Sequence, residues 1–161
     1  MASSRRYGEQ VITLVTTSRW SRWSVYEVGN RRRIKWHALG NIYEGASPVI
    51  DFRENRGSET ITIKSSGVFE CFKSSAHLLN IIALDISKCV DMECLNITSE
   101  EVKELDVSNN VNLFDLNLQW CSYLTIIYVN QTQLDILNGV TPQPSGWQWG
   151  KPSTATYVLK E

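Results

Sequence analysis

Between residues 84 and 129, apolar and polar side chains alternate in short, evenly spaced bursts: Leu84-Asp85-Ile86, Leu95-Asn96-Ile97, Leu105-Asp106-Val107, Leu116-Asn117-Leu118 and Ile127-Tyr128-Val129. Their starts lie 11, 10, 11 and 11 residues apart, so alternate bursts recur every 21 or 22 residues. Period-two alternation is the mark of a strand with one buried face. A strand this short cannot bury its apolar side alone. Coils stacked about 4.8 Å apart give a continuous core and pair the backbone groups. The polar stretches Ser108-Asn109-Asn110 and Thr98-Ser99-Glu100-Glu101 read as bends between strands. The spacing therefore predicts a short solenoid within residues 67–140.

Residues 9–66 lack this rhythm. Alternating or β-branched runs at 10–17, 23–28, 34–39, 48–52 and 59–64 are separated by turn signals such as Gly29-Asn30 and Gly40-Asn41. Five strands at about ten-residue spacing predict an antiparallel, sandwich-like unit over 1–66, placed to cap one open end of the repeat. In residues 141–161, Pro142, Pro144, Gly146 and Pro152 surround Trp147 and Trp149, and 154–159 reads as a final strand. This segment is expected to be a C-terminal cap whose tryptophans cover the last coil, or else a docking arm for a partner.

Extending each burst by three residues gives Leu84-x-Ile86-x-x-Cys89, Leu105-x-Val107-x-x-Asn110 and Leu116-x-Leu118-x-x-Cys121. This resembles the leucine-rich repeat signature, and Leu105-Asp-Val-Ser-Asn-Asn-Val-Asn-Leu113 resembles the short repeats of surface proteins from Bacteroides-type gut bacteria. The resemblance covers residues 78–138. It implies that the inward Asn or Cys donates to backbone carbonyls at the bend, which makes Cys89 and Cys121 buried structural thiols. Glu100 and Thr132 stand where Asn or Cys is expected, so those bends are predicted to be looser. Further upstream, Lys35-Trp36-His37-Ala38-Leu39-Gly40-Asn41 with Thr60-Ile61-Thr62-Ile63 resembles a degenerate polycystic-kidney-disease-type, immunoglobulin-like domain. The expected fold class is mainly β: an N-terminal antiparallel β-sandwich-like unit followed by a leucine-rich-repeat solenoid.

Charge adds an asymmetry. Residues 1–66 hold 11 Lys/Arg against 6 Asp/Glu, whereas residues 67–140 hold 3 against 10. Halves of opposite sign either attract each other or neighbouring copies, or are two solvated faces. On the repeat, outward residues are expected to form two strand faces: Asp85, Asp106 and Tyr128 on one, Asn96 and Asn117 on the other, with Asn138 continuing the 21-residue spacing. Stacked asparagines suit an amide ladder. Stacked aspartates repel unless solvent screens them or a cation or basic partner relieves them. A basic contact surface is expected at Arg31, Arg32, Arg33 and Lys35. The interleaved Trp20, Trp23 and Trp36 fit base stacking less well than a hairpin with tryptophans inward, so nucleic acid is not an expected partner.

The four cysteines, Cys71, Cys89, Cys94 and Cys121, form no C-x-x-C pair, and His37 and His77 lie far from them in sequence. Neither a metal site nor a disulfide framework is expected. No glycine-rich phosphate loop or Gly-x-Ser-x-Gly motif occurs, so the chain reads as non-enzymatic and without cofactor. The longest apolar run, around 78–86, is broken by Asn80 and Asp85, and MASSRRYGEQ lacks the apolar region of a secretory signal. The sequons at Asn96 and Asn130 read as chance. The expected function is a structural or assembly protein with protein partners or copies of itself, such as a phage virion or tail component, in the virion or cytoplasm. The alternative is a cell-surface module, its signal removed, that recognises a protein or glycan.

Overall fold

The computed structural model describes residues 8–29, 33–74, 77–99 and 101–161. Their strands are β1 (Gln10–Thr16), β2 (Glu27–Gly29), β3 (Ile34–Ala38), β4 (Asn41–Glu44), β5 (Glu59–Ser65), β6 (Cys71–Ser74), β7 (Ile81–Asp85), β8 (Cys94–Ile97), β9 (Glu104–Asp106), β10 (Asp115–Asn117), β11 (Ile126–Val129), β12 (Gln148–Gly150) and β13 (Thr156–Leu159). A short helix, α1 (Gln131–Leu137), follows β11. The molecule is mainly β, with an N-terminal five-stranded antiparallel sheet followed by parallel sheets.

The antiparallel sheet has the order β4-β3-β5-β1-β7. In β1, Ile12 and Leu14 are fully buried while alternate residues are half-buried, as period-two alternation requires. β3 and β4 are joined by Leu39 and Gly40, both at positive φ (51° and 71°), the pairing that a tight two-residue hairpin needs. Two of the expected N-terminal strands are much reduced. The runs at 23–28 and 48–52 contribute β2 and a single bridge between Trp23 and Ile50. Pro48 has no N–H to extend that pairing, and the Trp23 ring turns inward, donating from Nε1 to the Leu79 carbonyl at 3.0 Å.

The parallel strands alternate between two sheets. β6, β8, β10 and β12 lie side by side, with β2 antiparallel at the β6 edge, and β9, β11 and β13 form the second sheet. Strand pairing crosses residue 66 in both directions: β7 joins β1, and β2 joins β6. One hydrophobic core runs from Ile12 and Trp36 through Leu95 and Leu105 to Ile127 and Ala155. Every inward position of the five apolar bursts is buried except Leu84, which is half-buried against that core.

The bends repeat as closely as the strands. Cys89 N donates to Ile86 O and Met92 N to Cys89 O; the same pair of turns recurs at Val107-Asn110-Leu113 and Leu118-Cys121-Leu124, all at 2.9–3.1 Å. Asn110 donates to Ile86 O (3.0 Å) and Cys89 O (2.8 Å), and the Cys121 thiol lies 3.3 Å from Ile97 O. Glu100 lies outside the described residues, and at Thr132 a neighbour supplies such a group, as a neighbour of Glu100 also does. Buried Ser99 donates to Ile81 O (2.6 Å), and buried Gln133 donates to Val107 O (3.0 Å) and Asn110 O (3.2 Å).

Candidate binding face

The two outward faces expected from the sequence differ in character. On the β9–β11–β13 sheet, Asp106, Tyr128 and Val158 are register neighbours. Lys160, just past β13, reaches back along this row, its Nζ 3.2 Å from Asp106 Oδ2 and 4.7 Å from the centre of the Tyr128 ring. The cation that relieves Asp106 is thus the chain's own. Partial burial pushes the Asp106 carboxyl up, but hydrogen bonds from Ser108 N (2.9 Å) and Oγ (2.6 Å), with Lys160, outweigh this and hold it below its ordinary value. Asp85 is exposed on β7, in the antiparallel sheet, and its Oδ1 accepts from Ser87 N at 2.9 Å. Asp85, Asp106 and Asn117 each accept from the N–H two residues on, which starts the following bend. The Asp-x-Ser spacing carried that structural role in the sequence.

On the other sheet, parallel register sets two outward rows across the strands. One runs Cys71, Cys94, Asp115, Gln148; the second runs Lys73, Asn96, Asn117, Gly150. Asn96 and Asn117 are therefore brought together. Asn138 does not continue their row: it is the C-cap of α1, and Gly150 takes the place beside Asn117.

Cys71 and Cys94 form a disulfide, contrary to the sequence expectation, because parallel pairing of β6 with β8 sets them opposite each other with Cα atoms 4.6 Å apart. β6 lies outside the five apolar bursts, so nothing in their spacing aligns Cys71 with Cys94. Cys89 and Cys121 are free and buried. Burial, reinforced by the Asp85 charge, pushes the Cys89 thiol up to about 12, and burial raises Cys121. Neither is a thiolate nucleophile at neutral pH.

Trp147 and Trp149 stack at 4.5 Å, both half-buried, and Trp149 Nε1 donates to Leu113 O at 3.2 Å. Trp149 is the register neighbour of inward Leu116, so it extends the core under β12. Of the basic residues, Arg33 and Lys35 are exposed, while Arg31 and Arg32 lie outside the described residues. Trp23 and Trp36 are fully buried, with Trp36 Nε1 donating to Gly45 O at 2.8 Å, so neither ring is available to stack on a base. Among the described residues no helix is long and apolar enough to cross a membrane.

Sequence reasoning missed a shallow cleft between β10 and β12. Asp115, Leu116, Asn117, Gln119, Gln148, Trp149 and Gly150 line it. Asp115-x-Asn117-x-Gln119 carries the polar alternation that would have marked it. Comparison of the chain with protein-family models, curated proteins and solved structures finds no match.

Proposed function

We propose that the chain is a non-catalytic interaction module in which a leucine-rich-type solenoid, capped by the N-terminal sheet, makes protein–protein contacts within a larger assembly, as a virion or tail subunit does. The observation that carries this reading is the C-terminal end of the parallel strands. β12 and β13 are the last strands of their sheets on the same side of the molecule, and Val158 and Leu159 of β13 are 37% and 40% exposed. An edge strand without charge or proline invites another strand to add to it. The partner is a second copy or another subunit. Size-exclusion chromatography with light scattering tests the self-association arm: concentration-dependent oligomers are expected, lost on Val158→Lys. A wild-type monomer at every concentration and salt tested would remove self-assembly.

A second reading, a surface module recognising a protein or glycan, is favoured by the Cys71–Cys94 disulfide. Such bonds persist in oxidising compartments and are rare in the cytosol. Thiol titration checks the bond: two reactive thiols are expected after unfolding, from the two free cysteines, and four after reduction as well. Four reactive thiols without reductant, in protein purified from its natural source, would remove this support.

A further inference from the structure

We infer that β13 pairs antiparallel with β13 of a second copy across a two-fold axis at Val158, joining two molecules end to end in a closed dimer. This rests on the assembly reading above and names its partner. Thr156 N donates to Thr125 O at 2.9 Å and Lys160 N to Val129 O at 2.8 Å, both toward β11. Backbone groups alternate in direction along a strand, so Tyr157 and Leu159 turn their N–H and C=O groups to the open side. β12 is alike. Gln148 N donates to Phe114 O and Gly150 O accepts from Leu118 N, which leaves the Trp149 backbone groups on the open side. Inside this last coil Trp149 and Tyr157 are only half-buried, their rings 6.0 Å apart, with Trp147 stacked on Trp149.

The edge is self-complementary. Tyr157 and Leu159 flank Val158, so a two-fold through Val158 sets Tyr157 opposite the copy's Leu159 and Leu159 opposite the copy's Tyr157. Each of these pairs exchanges both of its backbone hydrogen bonds. Val158 meets its own copy as a non-hydrogen-bonded pair, apolar side chain against apolar side chain, with Cα atoms about 4.5 Å apart. Lys160 falls opposite Thr156, not opposite another lysine. The cations that would repel a copy are held within each molecule. Lys160 is engaged by Asp106 and the Tyr128 ring, and Lys151 Nζ donates to Ala155 O at 2.6 Å and lies 5.6 Å from the centre of the Tyr157 ring. A head-to-tail neighbour would need open parallel strands at the other end of the stack, where β2 already covers β6 and β7 lies against β9. The self-paired contact closes at two copies.

Charge placed at the axis tests this. Val158→Lys and Val158→Glu each set two like charges against each other, so each alone should dimerise roughly 100-fold more weakly than wild type. Mixed, the two variants pair lysine with glutamate and should recover the mass of two chains by light scattering. Val158→Cys under oxidising conditions should give a covalent dimer on a non-reducing gel, because the two Cα atoms lie within disulfide reach and the protein's own free cysteines are buried. Tyr26→Cys, at a position 72% exposed in the N-terminal part, should give none. Circular dichroism confirms that each variant is folded, and the cysteine variant carries the test if a charged one unfolds. Wild-type species that grow past two copies with concentration overturn the two-fold while leaving the assembly reading in place. A wild-type dimer that either charged variant retains, or that the mixture fails to restore, overturns the pairing through β13. A wild-type monomer at every concentration overturns the dimer and the self-association arm together, leaving only another subunit as partner.

Discussion

At the scale of single residues, Asn110 holds the most. It is fully buried, its Nδ2 bonds two carbonyls of the preceding bend, and its Oδ1 finds no partner among the described residues. An orphan acceptor is a cost that the two donor bonds outweigh. Asn110→Ala removes the second donor from the Ile86 and Cys89 carbonyls, which keep their turn bonds from Cys89 N and Met92 N, and should lower unfolding free energy by about 1–3 kcal/mol. Asn110→Cys, the residue found at the equivalent positions 89 and 121, should cost less. Urea denaturation decides, and equal loss in the two variants would contradict the donor role. This role was legible in the sequence, since Asn and Cys alternate at one register position. The disulfide was not: Cys71 and Cys94 are 23 residues apart, and only the pairing of β6 with β8 brings them together. A second effect at this scale is pH dependence. The Asp106 carboxyl is held below its ordinary 3.8 in the folded state, so its stabilising contribution is present above that value and lost as pH falls through the lower folded value. Asp106→Asn should be less stable than wild type at pH 7, and the gap should narrow as pH falls below 3.8. A gap that stays constant would refute the linkage.

Among the elements, α1 tells most about the limits of periodicity. Its seven residues follow the last apolar burst, where a plain bend was expected. Asn130 caps it, accepting from Gln133 N, while Gln133 Oε1 accepts from Asn130 N, both at 2.8 Å. The reciprocal cap Asn130-x-x-Gln133 has a sequence signature, but the seven residues that it starts are too few to show a helical period against the strand rhythm. Gln133 also reaches back to the bend at Val107 and Asn110, where its Nε2 supplies the donors that Thr132 does not. One side chain thus starts the helix and closes the preceding bend. Gln133→Ala should therefore cost about 2–3 kcal/mol, more than the roughly 1 kcal/mol of an ordinary cap loss. Gln133→Glu keeps the cap acceptor but sets a carboxylate against two buried carbonyls, so it should be at least as damaging. Thermal unfolding of both variants beside Asn130→Ala gives the ranking, and a Gln133→Ala loss no larger than an ordinary cap would rule out the bend-closing role. The strands of the repeat, by contrast, were readable because inward and outward positions alternate strictly in each burst.

In the whole molecule, the question is whether the N-terminal sheet and the parallel strands are separate bodies. The sequence divides them sharply by rhythm and charge near residue 66, and neither property reports hydrogen bonding across the boundary. β7 has β1 as its antiparallel neighbour, and β2 completes the β6 edge. Gln10, 4% exposed, accepts from Phe69 N at 2.7 Å, and the Cys89 thiol lies 3.4 Å from Val11 O. Cutting at residue 66 would strip β7 and β6 of their outer neighbours and uncover Phe69, Phe72 and Ile81, all fully buried in the intact chain. Exposed apolar side chains and an unpaired edge favour aggregation over folding. The intact protein should therefore unfold in one cooperative transition whose midpoint is the same by tryptophan fluorescence, to which buried Trp23 and Trp36 contribute, and by far-UV circular dichroism. A fragment of residues 67–161 should be insoluble or unfolded even with Cys71–Cys94 oxidised. The bond closes a loop of only 23 residues and contributes about 3 kcal/mol, too little to replace a lost sheet. Two separated transitions, or a fragment with native-like amide protection in β8 and β10, would show instead that the repeat stands alone. The N-terminal sheet would then be an attachment, where the pairing of β1 with β7 makes it part of the same folding unit.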